Sequence, residues 1–385
     1  MTLTKSHRRL VRLFVQSWGA DKLSIKIGVP KEIKVAESRV GLTPAAIATL
    51  VERGHQVIIE TNAGAAIGYT DAMYQAAGAS LAKTATEVFE FAQLIVKVKE
   101  PQSSEIELLT SKHLLFTYLH LAASWELTEG LLQSGCTAIA YETVRDLQGR
   151  LPLLTPMSQV AGRMATQVAA ESLMLPRGGA GKLMGGVPGV PPSRVTVLGG
   201  GIVGTEAAKM AIGLGADVTV VDMSLSRLAA INDQFGGQLK TQAAISETVA
   251  GLVESSDVVI GAVLIPGTQA PKLVKKSQLK RMRPGSVLID VAIDQGGCFE
   301  TSKPTTHTDP TYVVDGVLHY CVANMPGAVA RTSTEALVAA TLPYVQALAD
   351  DTKTALANDK GFAQGLSISE GQLICPEVRA SFALG

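Results

Sequence analysis

The sequence predicts an α/β protein of two domains, in which a doubly wound parallel sheet is inserted into a second α/β unit. Three observations carry that reading. Short apolar, β-branched runs alternate with helical stretches along the chain, the pattern of strands joined by helical crossovers. A length of 385 residues exceeds one typical core. A glycine-rich turn, Val195-Thr-Val-Leu-Gly-Gly-Gly-Ile-Val-Gly204, lies mid-chain between a strand-like run and a helix-like one.

In chain order, Ile25-Lys-Ile-Gly-Val-Pro30 reads as a strand running into the polar loop Lys31 to Arg39. Thr43 is an N-cap and Pro44 the first residue of a helix that ends near Gly54. His55 to Glu60 is then a second strand, which completes a βαβ unit. Helical stretches follow at Asp71 to Ala77 and Thr86 to Phe91, and strands at Leu94 to Val98, Leu114 to Leu119 and Thr137 to Tyr141. Pro156 to Leu175 reads as a long helix capped by Thr155; with the Gly/Pro-rich run Gly178 to Pro192 it forms a bridge into the second domain. There, Val195 to Leu198 is a strand, Thr205 to Leu214 a helix stopped by Gly215, and Asp217 to Asp222 the next strand. Further strands fit at Val258 to Val263, Val287 to Val291 and Val317 to Val322. From Ser333 the pattern is helical again, through Ala336 to Leu342 and Tyr344 to Ala357, and this tail is expected to return to the first domain. The expected divisions are an extension over 1–24, a first domain over 25–152 completed by 332–385, and the inserted domain over 153–331.

Lys+Arg and Asp+Glu both count 34, so the net charge is zero, and neither nucleic acid nor an anionic membrane has an electrostatic footing. The expected partner is small. Hydrophobic residues reach 46%, but their runs are short and broken by Gly, Pro or charge, so none approaches the about 18 apolar residues of a membrane span. Cys136, Cys298, Cys321 and Cys375 are scattered, without a C-x-x-C pair, which fits a reducing cytoplasm. Lys5, His7, Arg8, Arg9 and Arg12 surround a short apolar segment ending near Trp18; interrupted by Arg12 and Gln16 and with no clear small-residue cleavage site after it, it reads as a disordered extension or an overlong start rather than a targeting signal.

Gly199, Gly201 and Gly204 fall at the spacing G-x-G-x-x-G directly after a strand. The first glycine makes the tight turn, the second admits a pyrophosphate to the backbone, and the third lets helix and strand pack closely. The helix N-terminus then offers N–H groups and a positive dipole end to phosphate. Asp222, at the tip of the following strand, stands where a carboxylate accepts hydrogen bonds from ribose hydroxyls. This is the fingerprint of a Rossmann-type dinucleotide site. Ligands of open α/β sheets bind beyond the carboxyl ends of the strands, and four polar residues stand at such ends: Arg39, Lys99, His120 and Asp294. Together they amount to an anion clamp with two proton-transfer groups. Singly, each has a plainer role. Arg39 also reads as a solvated loop charge, Lys97 or Lys99 as a charge blunting an edge strand, His120 as a buried hydrogen-bonded histidine, and Asp294 as a cap on the turn at Gly296-Gly297. No two His, Cys or Asp residues stand at metal-ligand spacing on one element, so no metal is expected.

From Ile25 onward the chain resembles the alanine dehydrogenases. The resemblance rests on Gly28-Val-Pro-Lys-Glu32 with Arg39, Lys97-Val-Lys-Glu-Pro101, Tyr118-Leu-His-Leu-Ala122, Met157-Ser-Gln-Val-Ala-Gly162, Leu183-Met-Gly-Gly-Val-Pro-Gly189, Ile293-Asp-Gln-Gly-Gly-Cys298 and Cys321-Val-Ala-Asn-Met-Pro326. It implies a substrate domain built from both chain ends, an inserted NAD-binding domain and a homohexamer. Its implied reaction is oxidative deamination of L-alanine to pyruvate and ammonium, and the reverse. Under the same resemblance Arg39 and Lys99 hold the substrate carboxylate, and His120 and Asp294 serve as acid/base groups. Ser158, Asp222, Arg227 and Asn324 then contact NAD. A related alternative is the nucleotide-binding α-subunit of a proton-translocating transhydrogenase, which needs no amino-acid site; another is a non-catalytic NAD-binding sensor.

Overall fold

The computed structural model describes residues 24–263 and 270–382. The expected N-terminal extension lies outside them, apart from Ser24. The chain forms two compact units, one running to Pro156 and resuming at Val329, the other spanning Met157–Ala328.

The strands of the first unit are β1 (Lys26–Val29), β2 (Gln56–Glu60), β3 (Ser80–Ala82), β4 (Leu94–Val96), β5 (Leu114–Thr117) and β6 (Thr137–Ala140). Those of the second are β7 (Arg194–Leu198), β8 (Asp217–Asp222), β9 (Lys240–Ala243), β10 (Val258–Gly261), β11 (Val287–Asp290), β12 (Thr311–Val314) and β13 (Val317–Tyr320). The returning tail adds β14 (Leu366–Ser369) and β15 (Gln372–Leu373) to the first unit.

The first sheet runs β15-β14-β6-β5-β4-β1-β2-β3. It is parallel from β6 to β3, and β14 joins β6 antiparallel. Its central strands are buried on both faces, which explains why β4 and β5 read as unbroken apolar runs. On one face Val88, Ile95, Leu115, Leu131, Ala138 and Ile368 join a single cluster. The helix Pro44–Glu52 begins as the sequence predicts, with the Thr43 hydroxyl accepting from Ala46 N–H and Pro44 in the first turn. The tail is more than helical. Ala330–Asn358 is interrupted at Asp351, whose carboxylate accepts from the N–H groups of Lys353 and Thr354 and so starts the helix afresh, before the β14–β15 hairpin.

The second sheet runs β12-β13-β11-β10-β7-β8-β9, parallel except for β12. The order reverses beside β7, where the glycine turn begins; this is the crevice in which open α/β sheets bind ligands. Val253, Val259, Leu279, Leu288 and Phe299 pack on one of its faces.

Two local expectations change. The helix begins at Thr155 rather than after it, and the Thr155 hydroxyl donates to the Leu151 carbonyl. That helix beyond Pro156, and the Gly178 to Pro192 run, lie within the second unit instead of bridging into it.

Candidate functional site

In the first unit the proposed substrate residues follow neighbouring strands. Arg39 comes after β1, Lys99 after β4 and His120 after β5, and these strands are adjacent and parallel. Arg39 is not a solvated loop charge. It is 2% exposed, and Glu37 grips it through Nε at 2.7 Å and a terminal nitrogen at 2.5 Å. Burial works against the Arg39 charge, but the Glu37 carboxylate outweighs it and holds the guanidinium pKa above its ordinary value. Lys99 is partly buried, and its pKa is lowered, first by desolvation and then by the Arg39 charge. Two cations in each other's field in a poorly hydrated place are chemically suited to an anion such as a carboxylate.

Lys97 and Lys99 differ sharply. β4 is a central strand, so neither lysine blunts an edge. Lys97 is fully buried between Glu32, at 3.1 Å, and Glu105, at 2.7 Å. The other oxygen of Glu32 accepts from the backbone N–H of Val98 at 2.6 Å, and from that of Lys99. The buried triad thereby fixes the turn that carries Lys99.

His120 is exposed rather than buried, with a left-handed backbone, φ 51° and ψ 38°. Glu142, after β6, holds this turn by accepting from the N–H groups of Leu119 at 3.1 Å and His120 at 2.6 Å. The imidazole stacks on the Tyr118 ring, with centroids 5.9 Å apart and planes 8° from parallel. Tyr118 is buried, donates to the Leu153 carbonyl at 2.6 Å and lies in the field of Arg39. His120 also lines an open cleft of about 440 Å³, together with Glu100, Gln102, Ser124, Glu126 and Glu129.

In the second unit Gly199, Asp222 and Asn324 stand at or beyond the carboxyl ends of strands, while Ser158 and Arg227 lie on helices. Gly199, after β7, has φ +101°, and a Cβ there would lie 2.7 Å from the Ala262 carbonyl oxygen. A Cβ on Gly204 would be 1.8 Å from the Gly199 carbonyl oxygen, so the third glycine lets helix Ile202–Gly213 sit against the turn. Gly201 differs: among the described residues its added Cβ meets nothing within 4 Å, which leaves open space at the head of that helix. This open cradle, with its helix N-terminus, fits a pyrophosphate. Asp222, at the end of β8, accepts from Gly200 N–H at 2.7 Å and from Ser224 N–H at 2.8 Å, so it also shapes the turn. Arg227 reaches back to the Gly200 carbonyl and to the Thr205 hydroxyl, the latter at 2.6 Å.

Ser158 lies one turn before Gly162 on the same helix, hence on the same face. A Cβ on Gly162 would be 2.2 Å from the Val203 carbonyl oxygen, so that face turns toward the head of helix Ile202–Gly213. Asp294 is exposed on a single helical turn after β11, and Asn324 follows β13 in a left-handed conformation, φ 56°. Glu32, Glu37, Glu142 and Asp290 are absent from the candidates read in sequence. Only Glu37, two residues from Arg39, offered a local signal.

The reversed strand order, the glycine turn and the acid at the tip of β8 define a Rossmann-type nucleotide-binding protein. Residues 28–161 match the family model "Alanine dehydrogenase/PNT, N-terminal domain", and residues 165–376 match "Alanine dehydrogenase/PNT, C-terminal domain". Alanine dehydrogenase of Halomonas elongata is 58% identical over 361 residues, covering 94% of this chain and 97% of its own. That of Mycobacterium tuberculosis strain H37Rv is 50% identical, covering 92% and 96%. A solved L-alanine dehydrogenase superposes with a TM-score of 0.91 at 51% identity, over 93% of this chain and 99% of that one. The chain belongs to the alanine dehydrogenase/PNT family. A transhydrogenase from Sinorhizobium meliloti, at 24% identity and a TM-score of 0.79, shares the fold alone.

Proposed function

We propose that this chain is an NAD-dependent L-alanine dehydrogenase. It interconverts L-alanine, water and NAD with pyruvate, ammonium and NADH, releasing one proton in the oxidative direction. The observation that carries the reading is the constellation of Arg39, Lys99 and His120 beyond adjacent strands of the first unit. A protein that only binds nucleotide has no need of it, and the 50–58% identical relatives bear this activity in their names.

Arg39 and Lys99 bind the substrate carboxylate. Glu37 sets the plane of the guanidinium, and the bound anion relieves the mutual repulsion of the two cations. His120 and Asp294 move protons as the amine becomes an imine and water attacks it. Tyr118, stacked on His120, restricts the plane of the imidazole. On the nucleotide side, the turn Gly199, Gly201 and Gly204 holds the pyrophosphate, Asp222 the adenosine ribose, and Ser158, Arg227 and Asn324 flank the rest. When bound, NAD supplies the hydride acceptor, and the protein's contribution is positioning. The grip of Arg227 on Gly200 and Thr205 supports a role in bracing this turn beside the expected cofactor contact. Assembly as a homohexamer in a reducing cytoplasm completes the proposal; the four cysteines are free and buried.

The test is NADH formation from a panel of L-amino acids at alkaline pH. L-Alanine is expected to give the highest kcat/KM, with pyruvate and ammonium reversing the reaction. A chain that binds NADH yet oxidises none of them overturns the proposal. Light scattering tests the assembly, which a stable monomer at micromolar concentration would refute.

A further inference from the structure

Asp290 ends β11, is fully buried, and has no part in the chemistry above. One carboxylate oxygen accepts from Ala292 N–H at 3.1 Å and lies 3.5 Å from the Cys298 sulfur. The other accepts from Cys298 N–H at 2.9 Å and from the Ser302 hydroxyl. These donors belong to one loop. Ala292 enters the helical turn Ile293–Gln295, and Cys298 closes the segment after Gly296 and Gly297, both with positive φ. A Cβ on Gly297 would lie 2.6 Å from the Asp290 carboxylate, so the loop is wound onto that group as tightly as bare backbone allows. From outside, the Lys272 ammonium donates to the carbonyls of Gly296 and Gly297, the latter at 2.8 Å. Asp294 stands at the middle of this turn.

We propose that Asp290 is a positioning residue for the reaction, its buried carboxylate setting the loop backbone that presents Asp294 at one place and one angle. A buried carboxylate costs free energy unless its donors satisfy it, and here all of them come from the loop being shaped. The same charge in a role of packing alone would be better replaced by an apolar side chain of similar size. The proposal rests on the acid/base role given to Asp294 above.

Asp290→Asn, in the full-length protein, sets an amide NH₂ against donors. Misplacement of a reacting group by about 1 Å can cost about 100-fold in rate. The variant is therefore expected to lose at least about 10-fold in kcat, with its NADH dissociation constant and its KM for NAD within about two-fold of the parent. Ser302→Ala, which removes one donor and leaves the charge, is expected to lower kcat in the same sense with less effect. The deciding measurement is a double-mutant cycle. If Asp290 acts through Asp294, then Asp290→Asn costs nothing further in a chain already carrying Asp294→Asn. An equal loss in both backgrounds would overturn the inference, as would unchanged turnover in Asp290→Asn and Ser302→Ala alike. Full turnover in Asp294→Asn alone would instead remove the role of Asp294 itself, and this inference with it. Should Asp290→Asn fail to bind NADH, the same cycle run with Ser302→Ala decides.

Discussion

Alanine placed separately at Gly201 and at Gly204 distinguishes the space kept for a nucleotide from the space needed by the fold. At Gly201 the added methyl meets no atom of the described residues within 4 Å, and the backbone, φ −64° and ψ −165°, suits any residue. Alanine gains about 0.4–1 kcal/mol by restricting the unfolded chain and gives back a similar amount as a poorer helix cap than glycine. At Gly204 the methyl falls 1.8 Å from the Gly199 carbonyl oxygen and 3.1 Å from Val197 Cγ1, so the helix must move off its strand. Overpacking of this kind costs about 1–3 kcal/mol. With about 2–4 °C per kcal/mol for a unit of this size, Gly204→Ala should melt about 2–12 °C below the parent, and Gly201→Ala within about 4 °C of it. NADH titration by fluorescence should reverse the ranking of harm: Gly201→Ala is expected to weaken binding at least about 10-fold, or about 1.4 kcal/mol, because its methyl occupies the pyrophosphate's place. Parental NADH affinity in Gly201→Ala, or parental melting in Gly204→Ala, would refute the reasoning.

Arg39→Ala should raise KM for both alanine and pyruvate by about 10- to 100-fold, the worth of a charge-assisted hydrogen bond of about 1.5–3 kcal/mol; unchanged KM values would contradict the clamp. Lys97→Met leaves Glu32 and Glu105 buried without their cation and should cost about 3–5 kcal/mol in urea unfolding, so a loss under about 1 kcal/mol would contradict the triad. His113 is kept neutral: burial lowers its pKa from 6.5, its Nε2 donates to the Phe89 carbonyl at 2.8 Å, and its Nδ1 accepts from Thr110 N–H at 2.9 Å. The unfolded chain therefore binds the proton more readily, so this contribution is complete above 6.5 and is lost as pH falls through the lower folded value; unfolding at about pH 7.5 and about pH 5.5 should show a smaller difference in His113→Gln than in the parent. Asp222→Ala should narrow the preference for NAD over NADP, measured as the ratio of kcat/KM values; an unchanged ratio would take the ribose role from Asp222.

The parts legible in the sequence are those with a one-dimensional signature. Parallel strands buried on both faces must be continuous apolar runs, so β4, β5, β10 and β11 announce themselves. Gly199 and Gly204 are marked because a backbone angle and a 1.8 Å approach exclude side chains there. β9, Lys-Thr-Gln-Ala, is a half-buried edge strand without an apolar signature, and β14 is defined by a partner more than two hundred residues earlier, so neither could be read. The candidate site divides in the same way. Strand-end position marks Arg39, Lys99, His120 and Asp294, whereas the acids that hold them resemble ordinary solvated charges. Glu32 meets Lys97 across 65 residues, and Glu142 and Asp290 bind backbone N–H groups, which a sequence does not distinguish from any others.

The pairing of β14 with β6, Leu366 against Ile139, has a consequence for biosynthesis. Every strand of the inserted unit is available once residue 328 has been made, whereas the first unit still lacks β14, β15 and the helix Ala330–Asn358. Chains grow at about 5–20 residues per second, so the N-terminal half of the first sheet waits for seconds with the flank of β6 unpaired. An open strand edge of that kind is a template for other chains. The order in which the two units can finish folding thus reverses the order in which they start: the middle of the chain is the first part able to finish folding, and the unit that starts earlier is completed last.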